Sequence, residues 1–321
     1  MPGLVERFGT VVAGLVLIAV FIAFAPNFAS PANIINVLKD TSFLAIMALG
    51  FTLALTVAEL DLSVAEIASL SAVVVGWLVQ LKFDPILAVL AALAVAALFG
   101  AINAFGVTVL RVPSLITTLG TAAIARGCAF MITQGVAFVG RWPVGFTGLA
   151  RGLTFGIPNL VLWLAGVTAT SWFLLAWTRT GAHMIATGEA EEAARLSGVA
   201  TARMKRLGLL LSAVLSGITA ILLAANLSSA APNMAGDYFL YAIAAVLLGM
   251  TMFQPGQPNV AGTVFAALVL KVLGNGLVLL GAAYYVQDIV LGLIMIGSVT
   301  ASTLVTRRPA FANRLNFRMR H

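Results

Sequence analysis

The chain is 321 residues long, 61% hydrophobic and only 9% charged, well beyond the roughly 45–50% apolar content of ordinary soluble domains. That balance excludes a water-soluble enzyme and a nucleic-acid-binding domain; in a polytopic membrane protein the net charge of +7 serves orientation and contact with anionic lipid. One cysteine, Cys128, leaves neither a disulfide framework nor a thiol metal site, and it is read as a small buried residue.

Helices are favoured over a barrel because the apolar runs are continuous, and lipid requires the backbone to be satisfied within each segment. A crossing takes about 20 apolar residues. Breaks at proline, glycine and charge divide the chain into ten predicted spans, near residues 10–26, 41–59, 63–82, 85–110, 114–134, 155–178, 203–227, 237–254, 259–281 and 284–304. The first, in "TVVAGLVLIAVFIAFAPNF", is long enough to cross and has no clear small-residue cleavage site after it, so it is read as a membrane helix. Around "VAELDLSVAE" acids interrupt the second and third spans, and a broken or re-entrant segment is the alternative there.

Ten spans put both termini on one side of the membrane. With the N-terminus inside, the inner segments hold Arg7, Arg111, Arg179, Arg195, Arg203, Lys205, Arg206, Arg307, Arg308, Arg314, Arg318 and Arg320, twelve of eighteen cations. The outer segments hold Lys39, Lys82, Arg141 and Arg151, while Arg126 and Lys271 fall within spans. This bias orients both termini to the cytoplasm. The loop at about 179–202, after the sixth span, is then cytoplasmic, as is the basic tail at about 305–321, read as a membrane-surface or orienting segment. The whole chain, 1–321, reads as a single all-α transmembrane domain. Its loops are too short for a nucleotide-binding domain, and neither a G-x-x-x-x-G-K-[ST] loop nor an H-E-x-x-H motif occurs, so any energy source has to sit on another chain.

The stretch 187–206, "TGEAEEAARLSGVATARMKR", concentrates three glutamates and four cations in twenty residues. It reads as a short interfacial helix with Gly188 as N-cap, Glu189, Glu191 and Glu192 at the positive end of the macrodipole, and Gly198 as the C-terminal stop. Glu191 and Arg195 stand at i,i+4 in the favoured order. Ala190, Ala193 and Ala194 leave a small-residue face for another surface to approach. The alternative is a solvated helix that only links two spans.

Several polar residues interrupt the spans. Glu59, Asp61 and Glu66 form an acidic group that either lines a pathway, holding a hydroxylated or cationic substrate, or, for Asp61 and Ser63, caps the helix starting at Val64. Arg126 either touches substrate or pairs with a carboxylate between helices, and Lys271 is ambiguous in the same way or snorkels. Thr117, Thr118, Thr121 and Asn275 either meet a passing hydroxyl or bind neighbouring helices. Trp142 reads as an interfacial anchor. Neither His183 nor His321 has a partner in sequence that suggests catalysis.

The segment "GEAEEAARLSG" resembles the cytoplasmic coupling loop of ribose-type permease subunits of bacterial ABC importers. In the same order along the chain, "LDLSVAEIASLSAVV", "VPSLITTLGTAAIARGCAFMITQG", "YAIAAVLLGMT", "GTVFAALVLKVLGNGLVLLG" and "VQDIVLGLIMI" are similar to further segments of that family. The resemblance implies a ten-helix permease of the bacterial inner membrane that pairs with a second permease, identical or paralogous. It also implies cytoplasmic ABC ATPases, which carry ATP and Mg, and an extracytoplasmic solute-binding protein. No cofactor is expected on this chain. By matching position, Gly188, Glu191, Glu192, Ala193, Ala194, Arg195, Ser197 and Gly198 form the ATPase contact. The candidate pathway residues are Glu59, Asp61, Ser63, Glu66, Thr118, Arg126 and Asn275. The chain departs from the family where Ala58, Glu59 and Leu60 replace Gly-Gly-Ile, where Ala65 and Glu66 replace Gly-Ser, and in "GMTMFQPGQP", which stands for a Gly-Gly-Thr-rich loop.

Two other classes remain open in the residues. A self-sufficient proton- or cation-coupled carrier would use the three carboxylates as its ion site. An integral membrane enzyme would need a catalytic constellation, and the acidic group has no histidine near it in sequence.

Overall fold

The computed structural model of the chain describes residues 4–300; the basic tail at 305–321 lies outside them. The helices are α1 (Leu4–Phe24), α2 (Pro31–Thr56), α3 (Val64–Gln80), α4 (Pro85–Thr108), α5 (Ser114–Thr133), α6 (Val144–Arg151), α7 (Asn159–Trp177), α8 (Arg179–Glu189), α9 (Glu191–Leu196), α10 (Thr201–Leu227), α11 (Tyr238–Gly249) and α12 (Val260–Leu279). A further helix, α13, covers Tyr284–Thr300. Six of them, α2, α4, α5, α7, α10 and α12, are long and apolar enough to cross a membrane, and α1, α3, α11 and α13 are shorter apolar helices. Each predicted span falls on one of these helices, so the protein is an all-α, multi-pass membrane protein.

The largest boundary difference is at α2, which begins at Pro31 and not near residue 41. Ser30 accepts a hydrogen bond from the Asn33 amide at 3.3 Å and proline occupies the first turn, the ordinary start of a helix. Lys39 and Asp40 therefore lie inside α2 and not in a loop.

α2 and α10 form the centre: each is 67% buried over its most apolar window, against 17–44% for the other four long helices. α2 is nevertheless the least hydropathic of the six. Its polar side chains hide their hydrogen bonds within the helix, Thr41 donating to the Val37 carbonyl, Thr52 to Ala48 and Thr56 to Thr52 at 2.7–2.9 Å, so burial leaves no polar group stranded. α4 meets this centre through Ala88, Ala92 and Ala96, all fully buried. They sit four residues apart on one stripe, where small side chains let backbones approach closely.

Two-residue ladders close the end of the bundle where α5 and α10 finish: β1 (Phe138–Val139) pairs antiparallel with β4 (Ser229–Ala230), and β2 (Leu153–Thr154) with β3 (Ile157–Pro158). Trp142 packs there against Phe146, ring centroids 5.5 Å apart, and is half-buried. Cys128 is likewise only half-buried.

Candidate functional site

At the opposite end the chain makes the turn 57–63 between α2 and α3, the turn 109–113 between α4 and α5, and the run α8–α9 into α10. The charged stretch is not one helix capped at Gly188. α8 runs through Gly188 to Glu189, and α9 restarts after Ala190, whose backbone (φ −156°, ψ 80°) is not helical. Gly188 is required for packing, since a Cβ there would stand 2.2 Å from the Thr56 carbonyl oxygen, and only glycine lets α8 lie against the end of α2. Gly198 does end the element, at φ +87°, with its amide and that of Val199 returning to the Arg195 and Ala194 carbonyls, each at 3.0 Å, the glycine stop expected.

The ion pairs also differ from expectation. Arg195 bonds Glu192 at 2.7 Å and not Glu191; that hydrogen bond raises the guanidinium above its ordinary pKa. Glu191 turns to Lys205 in the second turn of α10, 2.8 Å away, and the same ammonium holds Glu59 of the 57–63 turn at 2.8 Å. Of α9 only Ala194 is buried, while Leu196 is 79% exposed. Ala193 also faces out, and Ser197 spends its hydroxyl on the Ala193 carbonyl at 2.9 Å. Glu189, at the end of α8, accepts a hydrogen bond from Gln257 of the loop between α11 and α12.

Behind the ion pairs the turn 57–63 is tied residue by residue into α4 and α5. The Leu60 amide donates to the Ser114 hydroxyl and the Leu62 amide to that of Thr118, both at 3.2 Å. Thr118 donates to the Ser114 carbonyl at 2.8 Å and faces the Leu60 carbonyl at 3.2 Å. Asp61 accepts from the Ser63 amide at 3.0 Å and from its hydroxyl, which closes the turn ahead of α3. Ser63 itself makes no side-chain cap. Ser63 accepts from the Asn103 amide at 2.8 Å, and Asn103 accepts from Thr121 at 2.6 Å. Asp61, Ser63, Asn103 and Thr118 are fully buried. The second Asp61 oxygen and the hydroxyl of Ser212 on α10 lie beside each other without a hydrogen bond of good geometry.

Glu59, Asp61 and Glu66 are thus not one acidic group. Glu59 pairs with Lys205 and Asp61 with Ser63, while Glu66, on α3, shares in neither contact and feels the positive charge of Arg126 on α5. The sequence count of acids could not separate them, because a count does not say which neighbour each one meets.

The family model described as "Branched-chain amino acid transport system / permease component" matches residues 33–299. The chain belongs to this permease family. Over nearly its full length it is 36% identical to the ribose import permease protein RbsC of Escherichia coli (strain K12), across 90% of this chain and 91% of that protein. It is 31% identical to RbsC of Bacillus subtilis (strain 168), across 92% of each. It is also 32% identical to the L-arabinose transport system permease protein AraH of E. coli K12, across 92% of this chain and 89% of that one. No solved structure matches at a significant level.

Of the remaining candidates in this permease, Arg126 is exposed on α5, its guanidinium 5.8 Å from the Phe130 ring centroid. Asn275 stands apart from every other candidate. It and Asn33 exchange two amide hydrogen bonds, both 2.9 Å, joining α12 to the first turn of α2. The pair ties the two helices together. Lys271 lies between the rings of Tyr238 and Tyr241, at 4.7 and 5.4 Å, with Asp40 and Asp237 nearby; it does not snorkel. Sequence reasoning misses Lys205, Asn103 and Leu196. In sequence Lys205 reads as an orienting charge and Asn103 hides in an apolar run, but Leu196 has a local signal, an apolar residue inside an otherwise polar, water-facing helix.

Proposed function

We propose that this permease is the transmembrane subunit of an ATP-driven importer for a monosaccharide, polyol or related hydroxylated solute, in the inner membrane of a bacterium. The observation that carries the reading is near-full-length similarity to permeases named for ribose and arabinose. All ten apolar helices cross the membrane, both termini are cytoplasmic, and α8–α9 face the cytoplasm, as the distribution of cations supports. The outward face of α9, with Glu192, Ala193, Arg195 and Leu196, docks into a separate ABC ATPase that binds ATP and Mg. An extracytoplasmic binding protein delivers the solute. Arg126 does not face lipid: a charge at a helix centre costs about 2.5–3.5 kcal/mol even by the mildest scale. The outer face of α5 therefore borders a second permease and the water-filled path between the two, with Glu66 as the local counter-charge.

Uptake of labelled ribose and arabinose into vesicles holding the permease with its ATPase and binding protein tests this reading. Transport of a sugar that needs all three chains and ATP is the expected result. Uptake by the permease alone, driven by a proton or cation gradient, would instead establish the self-sufficient carrier. Two of the three carboxylates that such a carrier requires as one site are engaged separately here, Glu59 by Lys205 and Asp61 by Ser63.

A further inference from the structure

We propose that Lys205 is the positioning residue through which movement of α9 reaches the buried ends of α3, α4 and α5. The inference rests on the reading that α9 meets the ATPase, and goes on to say what that contact moves. α9 is six residues long, is bounded by the non-helical Ala190 and by Gly198, and buries one side chain. Its own packing is too thin to drag a bundle. Its charged link to the interior is Glu191 to Lys205, whose ammonium also grips Glu59 at the same 2.8 Å.

Glu59 sits in a segment that cannot absorb the displacement. Ala58 before it takes the left-handed backbone at φ +58°, a conformation costly for a residue with a Cβ. The Glu59 amide bonds the Ala54 carbonyl at 3.1 Å. Leu60 and Leu62 are pinned to Ser114 and Thr118 of α5, and Asp61 and Ser63 continue through Asn103 of α4 to Thr121. Packed interiors transmit a shift because they have discrete arrangements and little compliance.

There is also room for α9 to move. Glu59, Glu191 and Lys205 line one cleft of about 430 Å³, whose far wall is Arg111, Pro113 and Ser114 at the α4–α5 turn. The ion triplet therefore borders an open cleft. Glu191 is half-exposed while Glu59 is nearly buried, so the cluster is wet on the α9 side and anchored on the other.

The test is Lys205→Met in the full transporter, co-expressed with its own ATPase and binding protein, measured for ATPase retention on the permease, ATP hydrolysis and sugar uptake. Retention is expected to be unchanged, because the outward face of α9 is untouched, while sugar moved per ATP hydrolysed falls about tenfold, within the range of ordinary coupling energies. Lys205→Arg, which can hold both carboxylates, should restore most of it. The triple variant Glu59→Gln, Glu191→Gln, Lys205→Met removes every unpaired charge; it should stay uncoupled, since neutrality does not replace the link. Should Lys205→Met fail to insert, Lys205→Gln, which keeps a polar side chain at the same place and leaves every α9 residue intact, is read the same way. Unchanged uptake per ATP in these variants, or its recovery in the neutral triple, would overturn the proposal. So would loss of ATPase retention in Lys205→Met, which would make Lys205 part of the docking surface. Retention that survives mutation of the outward face of α9 would instead sink the docking reading, a separate outcome.

Discussion

Asn103 illustrates how a single side chain acquires its role. In sequence it is one amide in an apolar helix; in the fold it donates to Ser63 and accepts from Thr121, so it joins the starts of α3 and α5 through α4. Replacing it by leucine removes both of these bonds, leaving Ser63 its bond to Asp61 and Thr121 its bond to the Thr118 carbonyl, a loss of about 0.5–1.5 kcal/mol per bond. Asn103→Leu should therefore lower the melting temperature of the detergent-solubilised permease, while Asn103→Ser, keeping a polar group that can both donate and accept, should lower it less. Asn275 is a contrasting case. Because its amide is engaged by Asn33, Asn275→Leu should reduce thermal stability and leave the order of preference among competing sugars unchanged; an altered preference would place Asn275 in the pathway.

At the scale of elements, the ends of helices decide more than their middles. The run from Arg179 to Leu196 is two helices and not one, because α8 has to lie against the end of α2, where Gly188 faces the Thr56 carbonyl. Gly188→Ala should thus displace α8 and lower both melting temperature and uptake, whereas a like substitution at the exposed Ala193 should spare stability. Leu196, 79% exposed, gives the complementary experiment. Leu196→Asp should leave the melting temperature within about 0.5 kcal/mol of stability, yet weaken ATPase co-purification, since an apolar side chain held in water at a docking face acts in the complex. The helix ends also show where sequence reading reaches its limit. Gly198 is legible as a stop because a left-handed glycine is a local requirement, while Gly188 reads wrongly as a cap because its reason lies on α2, some 130 residues earlier in the chain.

For the whole molecule, the arrangement divides labour between a buried centre, α2 and α10, and a coupling end where α2, α3, α8, α9 and α10 converge. Six helices meet the criteria for crossing on length and composition alone, and the other four apolar helices complete the alternation that the proposed topology requires. Reporter fusions after Lys82 and after Gly198 check it: the first should report the outside and the second the cytoplasm, and the reverse result would invert the whole assignment, including the side on which α9 lies.

The sequence by itself determined the class of protein, the position of every apolar helix to within a few residues except at the starts of α1 and α2, and the permease family. These depend on quantities that add up locally, namely hydrophobic content, proline and glycine breaks, and ordered motifs. Only the tertiary structure decided which charges meet. Glu191 chose Lys205 over Arg195, Glu59 took the same ammonium, and Asp61 turned instead to Ser63. A charged side chain in a low-dielectric interior is governed by what stands within a few ångströms of it, and in a bundle those neighbours come from helices far away in the chain.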